Sequence, residues 1–368
     1  MNWESIRREF SALENWTYLN TATHGQMPKR GVEAVARHFA HRDEVACEDF
    51  LGWFDDMDRI RTLIARLIHC TADDIAFVPN ASSALAVLIS GLDWKAGDRV
   101  ITLEGEFPNN LYALGALGAR GVEFIECPWE RFYESVDERT RLVVLSSANY
   151  TTGFVPPLEE ISSFLRSRGV LLFVDGTQSV GALQFDVGRV QPDMLAVHGY
   201  KWLLCPNGAG FMYVRPELRD RLPANVVGWR SHHDWRSVDN LHHGAPEPTA
   251  RAEKYEGGML PFALIYAMQA SVEMMLEIGP ALIEKRVLEL AGQVRELLRN
   301  CGATVACYRS PIVAGRFAGR DVSAMAKTLQ VRRVLVSARH GNLRVSPHFY
   351  NNETDLETFG RELRAVLN

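Results

Sequence analysis

The order of apolar and polar positions divides the chain into three stretches. Over residues 28–69 the apolar side chains fall on one face of a helical repeat, as in DRIRTLIARLIH. Strands and helices then alternate. DDIAFVP, DRVITLE, VEFIECP, RLVVLSSA and VLLFVDG read as strands, and DMLAVHGY and the segment after PNGAG as two more. Between them SSALAVLISGL, NNLYALGALGARG and LEEISSFLRSRG read as helices, the last two ended by Gly. The strands are almost continuously apolar, which predicts a mostly parallel sheet covered on both faces, running to about Val214.

The pattern then changes. Residues 222–258 are rich in His, Trp, Gly and Pro and read as irregular. A long helical stretch follows and breaks at Gly279-Pro280. The tail mixes short strands (TVACY, IVAGRF, VLVSA, NLRVSPHF) with the helices DVSAMAKTLQ and ETDLETFGRELRAVL. An α/β fold is therefore expected, with a mostly parallel sheet in a large domain over 15–258 and a smaller α+β domain over 259–368.

Composition narrows the function classes. The chain has 368 residues and is 47% hydrophobic, enough for a large core. It carries 40 Lys+Arg against 45 Asp+Glu, with no basic block, so nucleic acid is not an expected partner. No apolar run approaches membrane-spanning length. The opening MNWESIRREFSALENW lacks the apolar stretch of a secretory signal. The six cysteines are scattered without a CxxC pair, which predicts a reduced, cytoplasmic chain. HHDWRSVDNLHH has adjacent histidines expected to point apart and no acidic ligand spacing, so no metal site is expected there.

The chemistry centres on Lys201, between a strand and the Gly-rich PNGAGF turn. Upstream lie Asp175, at the end of an apolar strand where α/β sheets place ligand residues, and Gln178. By itself Asp175 also reads as a helix cap before TQSV. The segment VPNASSAL puts Asn80, Ala81 and Ser82 at a helix start, where free N–H groups and the dipole suit an anion. Together DGTQSVG, HGYK and this turn resemble the class V aminotransferases, the branch of pyridoxal-phosphate enzymes that includes cysteine desulfurases, kynureninases and isopenicillin N epimerases.

The resemblance covers most of the chain and implies the type I fold of these enzymes, with the N-terminal arm, residues 1–14, packed on the small domain. It implies pyridoxal 5'-phosphate as cofactor, with Lys201 as its Schiff-base lysine. It assigns Asp175 to the pyridine nitrogen and Gln178 to the ring hydroxyl oxygen. Ala81 and Ser82 go to the phosphate. His198 stands where relatives have a small polar phosphate ligand, and Tyr200 where many have His. Phe107, in EGEFPNN, fits the aromatic ring stacked on the cofactor, although a core Phe reads equally well. Asn149 or Tyr150, in SSANYTTG, is expected near the ring hydroxyl. In GNLRVSPHF, Arg344 fits the residue that grips the substrate carboxylate bidentately, or else an Arg on an exposed strand face, with Arg339 next in line.

KYEGGMLPF resembles a loop reaching the neighbouring subunit's phosphate. Met259 replaces a frequent Thr there, which leaves the backbone around Gly258 for the contact in a homodimer. The expected activity is that of a pyridoxal-phosphate enzyme acting on an amino acid or amine. A persulfide-forming desulfurase needs a Cys on the loop before the carboxylate-binding Arg, and RRVLVSARHGNL has none. Transamination, C–S lysis and epimerisation stay open, as does a non-enzymatic cofactor binder. A nucleotide-binding α/β protein is a further rival, but GxGxxG and GxxxxGK[ST] are both missing.

Overall fold

The computed structural model describes residues 1–368. Its strands, in chain order, are β1 (Thr17–Tyr18), β2 (Ile75–Val78), β3 (Arg99–Leu103), β4 (Glu123–Cys127), β5 (Thr140–Ser146), β6 (Leu171–Asp175), β7 (Met194–His198) and β8 (Gly210–Val214). They are followed by β9 (Thr304–Val305), β10 (Val313–Arg316), β11 (Val334–Leu335), β12 (Ser337–Arg339) and β13 (Asn342–Val345).

Seven strands make the main sheet, in the order β2-β8-β7-β6-β5-β3-β4. Only β8 runs against the others. The apolar rhythm marks β8 as a strand but carries no direction. Its orientation comes from its connection: Gly199 and Ala209 close the link from β7, with the Gly199 N–H donating to the Ala209 carbonyl at 2.9 Å. That link has no helix and is too short for a parallel crossover, so the chain must turn back. Lys201 sits within it.

Both faces of the sheet are covered, which explains the continuous apolar strands. In β5, Leu142 and Val144 enter the core shared with Ala84, Leu85 and Leu88 of the helix Ala81–Gly91. Val143 and Leu145 enter the opposite core, with Phe54, Met57 and Ile64 of Phe50–Ile68 and Met268 and Val272 of Phe262–Ile278. The helix Phe262–Ile278 thus packs with the large sheet, and the next helix, Pro280–Asn300, leaves it at a bend of 85°. Gly279 makes that bend at φ 96°, a left-sided value that a side chain resists.

A second, antiparallel sheet, β12-β13-β10-β9, has its own core of Leu343, Val345, Leu298, Val294 and Phe359. The segment VLVSA does not form one strand. Val334–Leu335 pairs in parallel with Thr17–Tyr18, whereas Ser337–Arg339 turns to pair with β13. The N-terminal arm lies on this unit: Arg7 bridges to Asp355 at 2.7 Å, and the Phe10 ring lies 4.7 Å from Tyr350. Attachment continues past residue 14, through β1 and the bridge between Asn20 and Ser346.

Candidate active site

Five strands of the main sheet end at one cavity. β2 leads to Asn80, Ala81 and Ser82, β3 to Phe107 and Asn109, and β5 ends at Ser146 and leads to Tyr150. β6 ends at Asp175, ahead of Thr177 and Gln178, and β7 ends at His198, ahead of Tyr200 and Lys201. All of these residues line the cavity. Carboxyl ends of strands are where open α/β sheets bind ligands.

Lys201 is 6% exposed, its Nζ 5.4 Å from the centre of the Phe107 ring and 5.2 Å from that of Tyr200. Burial pushes its pKa down to about 8; Asp175 opposes that shift, and Arg344 and Arg339 add to it. The turn that carries it is held from several sides. The Tyr200 carbonyl accepts the Gly25 N–H at 2.8 Å, and the Trp202 carbonyl lies 2.9 Å from Nε2 of the buried His348. Trp202 donates its indole N–H to the Gln178 carboxamide oxygen at 3.0 Å, and Gln178 donates to the Ala22 carbonyl at 3.1 Å. Gly25 tolerates no side chain, since a Cβ there would fall 1.9 Å from the Lys201 carbonyl oxygen.

Asp175 is buried, and one of its oxygens accepts the Thr177 N–H at 2.9 Å. A turn rather than a helix follows, so the expected helix cap becomes a local side-chain turn, and Asp175 remains in the cavity lining. At the phosphate end, Asn80 caps the helix by accepting the Ser83 N–H at 2.8 Å. The N–H groups of Ala81 and Ser82, which a first helical turn cannot satisfy internally, stand at the cavity. His198 Nε2 faces the Gly208 N–H at 3.4 Å, which places the ring proton on Nδ1. Burial, and then Lys201, push its pKa down to about 4, so it is a neutral donor at neutral pH.

These residues fit the expected cofactor: a buried amine with a lowered pKa, a carboxylate at a strand end, a capped helix start with free N–H groups, and an aromatic wall. Phe107 is 40% exposed, with its ring edge-on to Tyr150 at 5.2 Å. It is a cavity wall rather than a core side chain.

Asn149 and Arg344 lie outside this lining. Asn149 is outside the cavity lining, because its carboxamide is spent on its own loop. It donates to the Gly105 carbonyl at 2.9 Å and accepts the N–H groups of Thr151 and Thr152, each at 2.9 Å. Tyr150 is the residue of this pair that lines the wall. Gly258, expected to serve the neighbouring subunit's phosphate, does not line this cavity; its carbonyl accepts from Arg230 at 2.9 Å, and nothing lies within 4 Å of where its side chain would start.

Arg344 stands behind Tyr150. Its guanidinium donates to the Tyr150 carbonyl at 2.5 Å, the Ser337 hydroxyl at 3.1 Å and the Thr23 hydroxyl. The residue is 1% exposed, so it is not on an exposed strand face, and every one of these acceptors is neutral. Burial, and next the Arg339 guanidinium, push its pKa down to about 9.

Sequence reasoning missed Asn109, Ser146, Thr177, Glu106 and Thr23. Glu106 is buried beneath the cavity, accepting the Ser146 N–H at 2.7 Å and the Asn110 amide at 3.1 Å. Burial pushes its carboxyl up against those hydrogen bonds. Its place in EGEFPNN, beside Phe107, was the available signal. The His232 and His233 rings do not diverge as expected. They lie 4.4 Å apart, and His242 stacks on His232 at 4.0 Å, with His232 Nδ1 accepting the Glu247 N–H.

Comparison with known proteins gives the family and the fold. The family described as Aminotransferase class-V matches residues 18–359. A probable cysteine desulfurase of Methanothermobacter thermautotrophicus is 25% identical, over 100% of this chain and 98% of that protein. The isopenicillin N epimerase of Streptomyces clavuligerus is 26% identical, over 99% of this chain and 98% of its own length. Among solved structures, a cystine C-S lyase in complex with cysteine persulfide superposes with a TM-score of 0.87 at 23% identity, covering 96% of this chain and 99% of that one. The cysteine desulfurase CsdA of Escherichia coli also gives 0.87, at 22% identity, over 100% of this chain and 98% of the other.

Proposed function

From the premise that the chain belongs to the class-V aminotransferase family of pyridoxal-phosphate enzymes, we propose that it acts on an α-amino acid, and that it does so without a protein-bound persulfide. The observation that carries this reading is Arg344. A buried guanidinium with only neutral acceptors is an uncompensated charge, and a substrate carboxylate would compensate it. The two free N–H groups of its fork suit such a ligand.

The cofactor, when bound, supplies an electron sink for the pair released when a bond at the substrate's α-carbon breaks. Lys201 would hold its aldehyde, and Asp175 would keep a proton on the ring nitrogen. Gln178 has an N–H left that would serve the ring oxygen. The N–H groups of Ala81 and Ser82, with His198 Nδ1–H, would hold the phosphate. Phe107 would cover one wall and keep water out. The Lys201 amine, when free, would move the α-proton. Its pKa of about 8 suits a base at neutral pH.

The absence of a persulfide step is supported by the hairpin that bears Arg344. Its turn is only His340-Gly341, and the cysteines lie at 47, 70, 127, 205, 301 and 307, none on this hairpin. Transamination, C–S lysis and epimerisation remain the reactions within this reading. A homodimer belongs to it as well, with the exposed Gly258–Met259 segment meeting the second subunit.

The test is a screen of amino acids and matched amines against the yellow holoenzyme, with absorbance changes and mass-spectrometric products. Amino acids should perturb the spectrum and turn over, whereas decarboxylated analogues should do neither well. Equal response to both classes would refute the carboxylate role.

A further inference from the structure

The hairpin β12–β13 carries a second arginine on the same face as Arg344. Ser337 pairs opposite Arg344, and Arg339 opposite Asn342. Cross-strand partners share a face, and so do residues two apart on one strand, so Ser337, Arg339, Asn342 and Arg344 form one row. The turn between the strands is the tightest available, with His340 at φ 45° and Gly341 at φ 76°, so the row cannot slip. Thr23 gathers the two guanidiniums. Its hydroxyl donates to the Asn20 carboxamide at 2.8 Å, and its oxygen is left to accept from Arg339 Nη2 at 3.4 Å and from Arg344.

Neither arginine has a carboxylate. The other hydrogen bond of Arg339 goes to the Ala338 carbonyl at 2.8 Å, and those of Arg344 to Tyr150 and Ser337. The contrast lies in the same molecule: the buried Arg61 and Arg230 share the Glu256 carboxylate, at 2.6 and 3.0 Å. Both unpaired guanidiniums also bear on Lys201. One α-carboxylate neutralises Arg344 and leaves Arg339 without a counter-charge at the mouth of the site. The only carboxylate acting on Lys201 there is Asp175, which is engaged at the cofactor ring.

We propose that Arg339 is a specificity-determining residue that binds a second carboxylate, on the substrate's side chain, so that the substrate is a dicarboxylic amino acid. This rests on the reading of Arg344 as the α-carboxylate ligand. Two donors that share one acceptor oxygen stand within about 6 Å of each other, so the substrate's two carboxylates are separated by a short chain.

The experiment is calorimetric titration of the holoenzyme with unreactive acids, butyrate against succinate and glutarate, in wild type, Arg339→Gln and Arg339→Lys. The wild type should bind a dicarboxylate roughly ten- to a hundredfold more tightly than butyrate. Arg339→Gln should remove that preference and leave butyrate affinity within about twofold, and Arg339→Lys should restore part of it. The cofactor spectrum should be the same in all three. Equal affinities for butyrate and glutarate in the wild type would overturn the inference and leave the α-carboxylate reading standing. So would an equal loss for both acids in Arg339→Gln, which would mean that the two arginines share one carboxylate. Failure of every acid to bind at up to about 50 mM would overturn both readings together.

Discussion

The floor and the mouth of the site are built differently. The floor is a set of strand ends. Asp175, His198 and Ser146 terminate β6, β7 and β5, and Ala81 opens the helix after β2. Their positions follow from hydrogen-bonded registers within one sheet. The mouth is assembled from segments with no shared sheet: Thr23 in the N-terminal loop, Tyr150 after β5, and Arg339, His340 and Arg344 on the small hairpin. On the proposed reading, the floor would carry what any reaction of this family needs, and the mouth what one substrate needs. Changes in the floor should therefore damage every substrate alike, and changes in the mouth should discriminate between them.

The sharpest break is Lys201→Ala. On the proposed reading it would remove both the cofactor's anchor and the base, so turnover of any substrate should fall on the order of 10⁴-fold or more. The protein should stay folded by circular dichroism. Borohydride reduction of the wild type followed by peptide mapping should place the cofactor on Lys201 alone, and a labelled peptide elsewhere would overturn the assignment. Asp175→Asn comes next. A coloured protein is expected, with kcat reduced roughly 10²- to 10³-fold for all substrates, since the ring nitrogen would lose the anionic partner that keeps it protonated and able to stabilise the developing negative charge. Near-wild-type kcat would reduce Asp175 to a turn residue.

Arg344→Ala tests the mouth. Hydrogen bonds to charged groups contribute about 1.5–3 kcal/mol, so kcat/KM for amino acids should drop roughly ten- to a hundredfold, with partial rescue by Arg344→Lys. Amines should be nearly indifferent, and cofactor content should stay constant. A uniform loss across amines and amino acids would place Arg344 with the floor.

The pH dependence of Lys201 gives a smaller effect. Its unprotonated amine is the form that reacts with an aldehyde, and burial lowers its pKa to about 8. Cofactor uptake by cofactor-free protein should slow by about tenfold per pH unit below 8 and level off above it. Stopped-flow absorbance measures this, and a break near 10.5 would mean that the amine is solvated. The sign carries over to stability. Between the folded value of about 8 and the ordinary lysine value of 10.5 the unfolded chain holds the extra proton, so this residue's contribution to the stability of the cofactor-free protein rises with pH across that window.

The smallest change should come from His340→Asn. Asn suits the positive φ of the turn, so the hairpin should persist, and only the 2.7 Å contact with the Tyr150 hydroxyl is lost. A two- to tenfold change in kcat/KM is expected, corresponding to one hydrogen bond of about 0.5–1.5 kcal/mol, and it should differ between substrates. A shift identical for all of them would blur the distinction between floor and mouth.

The same division explains what could be read from the sequence. Strands such as LLFVD announce themselves because both faces are buried, and the Asp that ends the run is then at the sheet's ligand edge. Lys201, Gln178 and His198 follow by proximity along the chain. The reversal of β8 is not written in apolar periodicity, only in the short, helix-free link before it. Thr23 and Arg339 meet through packing of segments more than three hundred residues apart, which no local pattern encodes. Asn149 and Tyr150 are neighbours that differ only in which way the loop turns, and that is set by Gly105 and Phe154, whose carbonyls accept from the Asn149 carboxamide and backbone N–H.

The loop of residues 20–25 has a consequence for how the protein comes into being. Ala22 holds Gln178, Gly25 holds the Lys201 turn, and Thr23 holds Arg344. This loop leaves the ribosome more than three hundred residues ahead of its hairpin partner. The strands of the large sheet can pair while synthesis continues, but the mouth must wait for residues beyond 337. Such distant pairings are slow to form, because a long loop must close before any contact rewards it. A nascent chain that has completed its sheet therefore already holds the buried lysine while the two arginines proposed to choose its substrate have yet to arrive.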